Sequence, residues 1–218
     1  MPSSRAGLVE RAITRLRHCS NIEILGNADV PRLSILSLRF RHGEKDLYYG
    51  FVVSLLNDLF GIQVRGGCSC AGPYGHSLLG MDMAYSRALE REICAGAMVL
   101  RPGWVRLNFN YFIDEEEFEY ILRALELVAE HGWRLLPFYH FDEADGVWRY
   151  MKQRTSLPVS LESLGFVDLG EGYDERLSAK DVIALEGQIE AAKQDLLLRR
   201  PIEECSELRL SARAEKLR

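Results

Sequence analysis

Apolar residues recur along this chain in two rhythms, one of three to four residues and one of two, and the changes of rhythm divide it into helices and strands. Val9, Ile13 and Leu16 share one face of a helix that Ser3 or Ser4 can cap and that ends near Cys19. Short apolar runs at Ile22 to Leu25 and Leu33 to Phe40, split by Gly26-Asn27-Ala28-Asp29 and Pro31, predict two strands. Asp46 is placed to cap a helix carrying Phe51, Leu55 and Leu59, which Gly61 closes. A third strand, Ile62 to Arg65, leads into RGGCSCAGPYGH, whose glycines and proline predict a loop.

Met83 to Cys94 reads as a helix, and Trp104 to Phe112 as the clearest strand. There Val105, Leu107, Phe109 and Tyr111 alternate with Arg106, Asn108 and Asn110, so one face is apolar and Arg106 points away from it. Asp114 with Glu117 forms a capping-box-like start to a helix through Phe118, Ile121, Leu122, Leu125 and Val128, stopped by Gly132. This order predicts an α/β (α+β) layer fold, a small mixed or antiparallel sheet with helices packed on it. Residues 1–150 are expected to form that domain. Residues 151–218 read as a C-terminal extension, with an accessory helix from Ser178 carrying Val182, Leu185, Ile189, Ala192 and Leu196, and a charged, aperiodic tail after Pro201.

Composition narrows the function classes. With 218 residues, 47% of them hydrophobic and 27% charged, the chain is of a folding type. A net charge of -5 supplies no broad cationic footprint, so nucleic acid is not an expected partner. No signal-peptide pattern opens the chain and no apolar run is long enough to span a bilayer, so the expectation is a cytoplasmic protein without a membrane partner. Five cysteines, at 19, 68, 70, 94 and 204, lack the spacing of a disulfide framework and are expected as thiols.

The chemistry-bearing stretch is GIQVRGGCSCAGPYGH. Its glycines let the backbone approach another group closely, and a cysteine there becomes a nucleophile if a neighbouring cation such as Arg65 or His76 favours the thiolate. A tight turn holding small, partly buried cysteines fits the same residues. Cys68, Cys70 and His76 are also candidate soft metal ligands, although one CxC with one histidine lacks the paired spacing of zinc sites, and no metal is expected.

The run of elements, the strand entering GIQVRGGCSCA, and the later strand WVRLNFNYF followed by an acid-capped helix resemble the C-terminal small domain of fold type I, pyridoxal-phosphate (PLP) dependent enzymes of the class V aminotransferase and cysteine desulfurase family. The resemblance covers roughly residues 1–130. In that family a glycine-containing loop carries a cysteine followed by alanine, and Cys70-Ala71 falls in that place. A later strand carries an arginine that grips the substrate carboxylate, and Arg106 matches it. Cys68 and Pro73-Tyr74 depart from the well-known desulfurases.

The resemblance implies an amino-acid substrate, PLP as cofactor, Cys70 as the catalytic sulfur acceptor if the reaction is desulfuration, and Arg106 as the substrate-binding anchor. It also implies that the Schiff-base lysine belongs to a large domain upstream, because Lys45, Lys152, Lys180, Lys193 and Lys216 have no matching context. The chain is therefore expected to need that missing large domain or a complementary subunit, to be inactive alone, and to form a homo-oligomer in the full enzyme. Two other readings stay open: a non-catalytic interaction module of the same fold, and a small thiol- or metal-binding protein built on the CxC loop.

Overall fold

The computed structural model describes residues 3–68, 72–143 and 145–151, together with Gln194. It is a mixed α/β structure with an antiparallel sheet and helices packed on it. Helix α1 spans Ser3–Leu16, and strands β1 (Ile22–Ile24), β2 (Ile35–His42) and β3 (Lys45–Leu47) follow. Next come α2 (Tyr49–Phe60), β4 (Arg65–Gly67), α3 (Gly72–Leu78), α4 (Met83–Cys94), β5 (Trp104–Asn108) and α5 (Glu115–His131). A hairpin of β6 (Tyr139–Asp142) and β7 (Val147–Tyr150) ends the described run. The accessory helix expected from Ser178 and the tail after Pro201 lie outside the described residues.

Strand β2 is the centre of the five-stranded sheet. Leu38 pairs with Ile24 of β1 on one side and with Val105 of β5 on the other, while Phe40 pairs with both Ile22 and Leu47. β3 therefore shares the flank of β2 with β5, and β4 adds beyond β5 through Arg65↔Arg106, Gly66↔Val105 and Gly67↔Trp104.

Alternation along the strands sends Leu36, Leu38, Phe40, Val105 and Leu107 to one face, where they are buried under α1, α2 and α5 with Leu16, Phe51, Leu55, Phe118, Leu122 and Leu125. Each such side chain contributes about 1.5–3 kcal/mol on leaving water. The β6–β7 hairpin closes this core against α2. Phe51 meets Trp148 and Tyr139 edge-on at 5.3 and 5.4 Å, and the Ser54 hydroxyl donates to the Trp148 carbonyl at 2.8 Å.

Several sequence expectations need correcting. Asp46 does not cap α2. It sits in β3, its carboxylate held by Arg39 and Arg41, and α2 starts after Tyr48 without a side-chain cap. The third strand is Arg65–Gly67 rather than Ile62 to Arg65, because it is the glycines that lie flat against β5. Residues Gly72–Leu78 form a short helix where a loop is expected. Strand β5 ends at Asn108, and the Asn110 side chain then accepts from the backbone N–H groups of Phe112 and Ile113, turning the chain outward. Tyr111 is consequently 64% exposed and is no part of the apolar face.

Other expectations agree with the structure. Gly61 closes α2 with a left-handed φ of 64°. Helix α4 spans Met83–Cys94 as expected, capped by Asp82. The Asp114–Glu117 capping box of α5 has both of its hydrogen bonds.

Candidate functional site

The face of the sheet opposite the three large helices carries the polar alternates of the same strands. Cross-strand neighbours in an antiparallel pair point to the same side, with Cα atoms about 4.5–5.5 Å apart. The register therefore places Arg106 between Ser37 of β2 and Arg65 of β4, with Trp104 and Asn108 two residues away on either side. Arg106 is half-buried and Arg65 exposed.

Two glycine positions create this arrangement. At Gly66 a methyl group would stand 2.6 Å from the Tyr49 ring, and at Gly103 one would stand 2.7 Å from the Gly67 Cα. Strand β4 can thus lie directly against α2 and the start of β5 only because no side chains intervene. Gly66 faces α2, so Arg65 and Gly67 face the other way, toward the side of Arg106.

Helix α3 crosses part of this polar face. A methyl at Gly75 would touch the Trp104 ring at 3.5 Å and Cys68 Cβ at 3.8 Å, and one at Gly26, just past β1, would meet Leu78 at 3.9 Å. His76 Nδ1 lies 3.2 Å from the Ser86 hydroxyl, which ties α3 to α4. Trp104 is 3% exposed, and its indole N–H has no acceptor among the described residues.

Of the two site residues expected from sequence, Arg106 sits on the polar face as the alternation requires. Cys70 lies outside the described residues. Its described neighbours are Cys68, a half-buried free thiol one residue past β4, and Gly72, the first residue of α3. Arg65, expected as a cation near the thiols, stands opposite Arg106. Asn108 joins this face as the alternation of its strand predicts, and Ser37 joins it without having been singled out from sequence; its signal was the period-two alternation of β2.

Elsewhere on this face the charges are matched. Arg39 reaches Glu23 at 3.2 Å and Asp46 at 2.5 Å, and Arg41 Nε lies 3.6 Å from Asp46. Among the described residues no carboxylate comes within ion-pair reach of Arg65. An open groove of about 590 Å³ lies between α1 and α5, on the other side of the sheet. Among the described residues no group of three His, Cys, Asp or Glu side chains converges as metal ligands would.

The described residues do not fit PLP attachment. Lys45, the one described lysine, is exposed at the β2–β3 turn and pairs with His42, five residues along β2 from Ser37. At about 3.4 Å per residue that is some 17 Å from the row holding Arg106, beyond the reach of a lysine stem.

Among the described residues no helix is long and apolar enough to cross a membrane. No family model, no curated protein and no solved structure matches the chain.

Proposed function

We propose that this chain is the C-terminal, small-domain portion of a PLP-dependent class V aminotransferase or cysteine desulfurase-like enzyme acting on an amino acid. The observation that carries the reading is the position of Arg106, on the polar face of β5 beside the glycine-only approach of β4 that leads toward the sequence CSCAG. A guanidinium there presents a planar fork suited to a carboxylate in two-point contact. The antiparallel sheet with helices on it is compatible with the small domain of that family. The lysine and cofactor pocket would come from a large domain or a complementary subunit, and this chain's share of the work would be to hold the substrate carboxylate and, in a desulfurase, to present the Cys70 thiol.

The test joins this chain to a class V large domain and measures amino-acid binding by calorimetry and, with an added thiol reductant to cleave the Cys70 persulfide, sulfide release from cysteine. Arg106→Ala should weaken every amino acid by about 1.5–3 kcal/mol, the usual worth of a hydrogen-bonded charged contact. Arg106→Lys should restore only part of it, because a point charge does not reproduce the fork. Cys70→Ser should abolish sulfide release and leave the binding of other amino acids unchanged. Unchanged amino-acid affinity in Arg106→Ala would reject the assignment.

A further inference from the structure

Three cross-strand pairs of ionisable side chains lie on the polar face. Two unite opposite charges, Glu23↔Arg39 and Arg41↔Asp46, and the third sets Arg65 directly opposite Arg106. Like charges in that position destabilise a sheet. The described residues offer Arg65 no carboxylate as relief, although the same face supplies Glu23 and Asp46 to Arg39. The neighbours of Arg65 in β4 are glycines, so no bulky side chain of its own strand crowds the space beside it.

We infer that Arg65 and Arg106 together bind a ligand bearing two carboxylates, so that the substrate of this site is an acidic amino acid. Arg106 takes the α-carboxylate and Arg65 the side-chain carboxylate. The inference rests on the reading of Arg106 as a carboxylate anchor and adds the substrate class. The dimensions agree. Two arginine side chains extended in parallel from paired positions would hold their forks at roughly the strand-pair distance, about 5 Å. Five carbons in an extended chain place the two carboxyl carbons of a glutamate-like skeleton about 5 Å apart, from bonds of roughly 1.5 Å. Each fork then engages its own carboxylate, and bound ligand gives Arg65 the counter-charge that its cross-strand neighbour does not supply. The same pair disfavours substrates with apolar side chains, which would leave the Arg65 charge uncompensated beside Arg106.

The experiment uses the full chain with arginine side-chain Nε–Hε NMR signals as readout and glutarate, acetate and inorganic phosphate as probes. Glutarate should shift both the Arg65 and Arg106 signals and bind at least tenfold tighter than acetate. Arg65→Ala should erase that preference while acetate still shifts Arg106, and Arg65→Lys should recover part of it. Equal affinity for glutarate and acetate, with acetate still at Arg106, overturns the two-carboxylate inference and leaves the anchor reading intact. Glutarate held through Arg65 with no carboxylate moving Arg106 overturns both. Phosphate bound more tightly than glutarate, with both arginines required, overturns the inference in favour of a clamp on a single oxyanion.

Discussion

On one polar sheet face, Arg39 and Arg65 show two ways of placing an arginine on a strand. Arg39, 22% exposed in its side chain, has a carboxylate on each side and works as a tie between β1, β2 and β3. Arg65 is exposed, has another arginine opposite, and ties nothing among the described residues. The same residue type thus serves structure where the register brings an acid alongside and suits an external anion where it brings a second base. What separates them is the identity of the cross-strand partner.

That comparison presumes a strand framework held from the other face, and the largest predicted effect removes that support. Leu38 is 0% exposed, directly between β1 and β5 and adjacent in sequence to Arg39. Leu38→Ala should lower the unfolding free energy by about 2–5 kcal/mol in a urea titration, the range for deleting a fully buried leucine side chain. A loss below 1 kcal/mol would mean that the polar face, not the apolar one, carries the sheet.

The next effect is specific to the Arg65–Arg106 end. A methyl at Gly103 would lie 2.7 Å from the Gly67 Cα and as close to the Tyr49 ring. Backbone cannot yield as a side chain can, so Gly103→Ala should cost about 1–3 kcal/mol, as overpacking does. It should also move the Arg65 and Arg106 NMR signals more than those of Arg39. Equal movement of all three would show that the two ends are not independent.

These elements also show what the sequence made legible. Helices α1, α4 and α5 were legible because their determinants are local: α5 from its cap, where Asp114 and Glu117 close on each other, and α1 from its apolar period, while the Asp82 cap of α4, which accepts from Tyr85 N–H, had not been read from sequence. The polar placement of Arg106 followed from alternation in β5. Helix α3 did not, since GPYGHSL has weak helical preference and lies where Gly75 fits over Trp104. The β6–β7 hairpin was missed because its four-residue strands are stabilised by rings from α2, as between Phe51 and Trp148. Asp46 had the look of a helix cap, and its ion partner Arg39 lies seven residues away across a turn. The Arg65–Arg106 pairing depends on a register between segments some forty residues apart, which no local pattern encodes.

The comparison itself is tested by paired substitutions. Arg39→Ala should lose about 1 kcal/mol, because one half-buried guanidinium serves two partly exposed carboxylates and solvent screens both contacts. Arg65→Ala should change stability by less than about 0.5 kcal/mol or raise it slightly, since it removes a like-charge opposition. Chemical denaturation of both variants in one buffer reads the difference. Equal losses would erase the distinction between the two arginines.

The smallest effect extends the matched class to the far side of the sheet, where Arg11 of α1 grips Glu115 in the first turn of α5. The hydrogen bond from Arg11 holds the Glu115 carboxyl below its ordinary 4.5 against an opposing desolvation, with Coulomb attraction from the same arginine adding to the lowering. A carboxyl whose folded pKa is depressed binds its proton more readily in the unfolded chain. Its stabilisation is therefore fully present above about 4.5 and is lost as pH falls through the lower, folded value. Both side chains are largely exposed, so the effect is small and screened by salt. Glu115→Gln should melt slightly below the parent at pH 7 in low salt. The gap should close as the pH falls through the lowered, folded value, and added salt should narrow it at pH 7. Arg65→Gln, in contrast, should show no such acid-dependent gap, because no described carboxylate depends on it. An acid-dependent gap at Arg65 matching that at Glu115 would show that Arg65 is an ion-paired structural arginine like Arg11 and Arg39, and the contrast between the two ends of the polar face would fall with it.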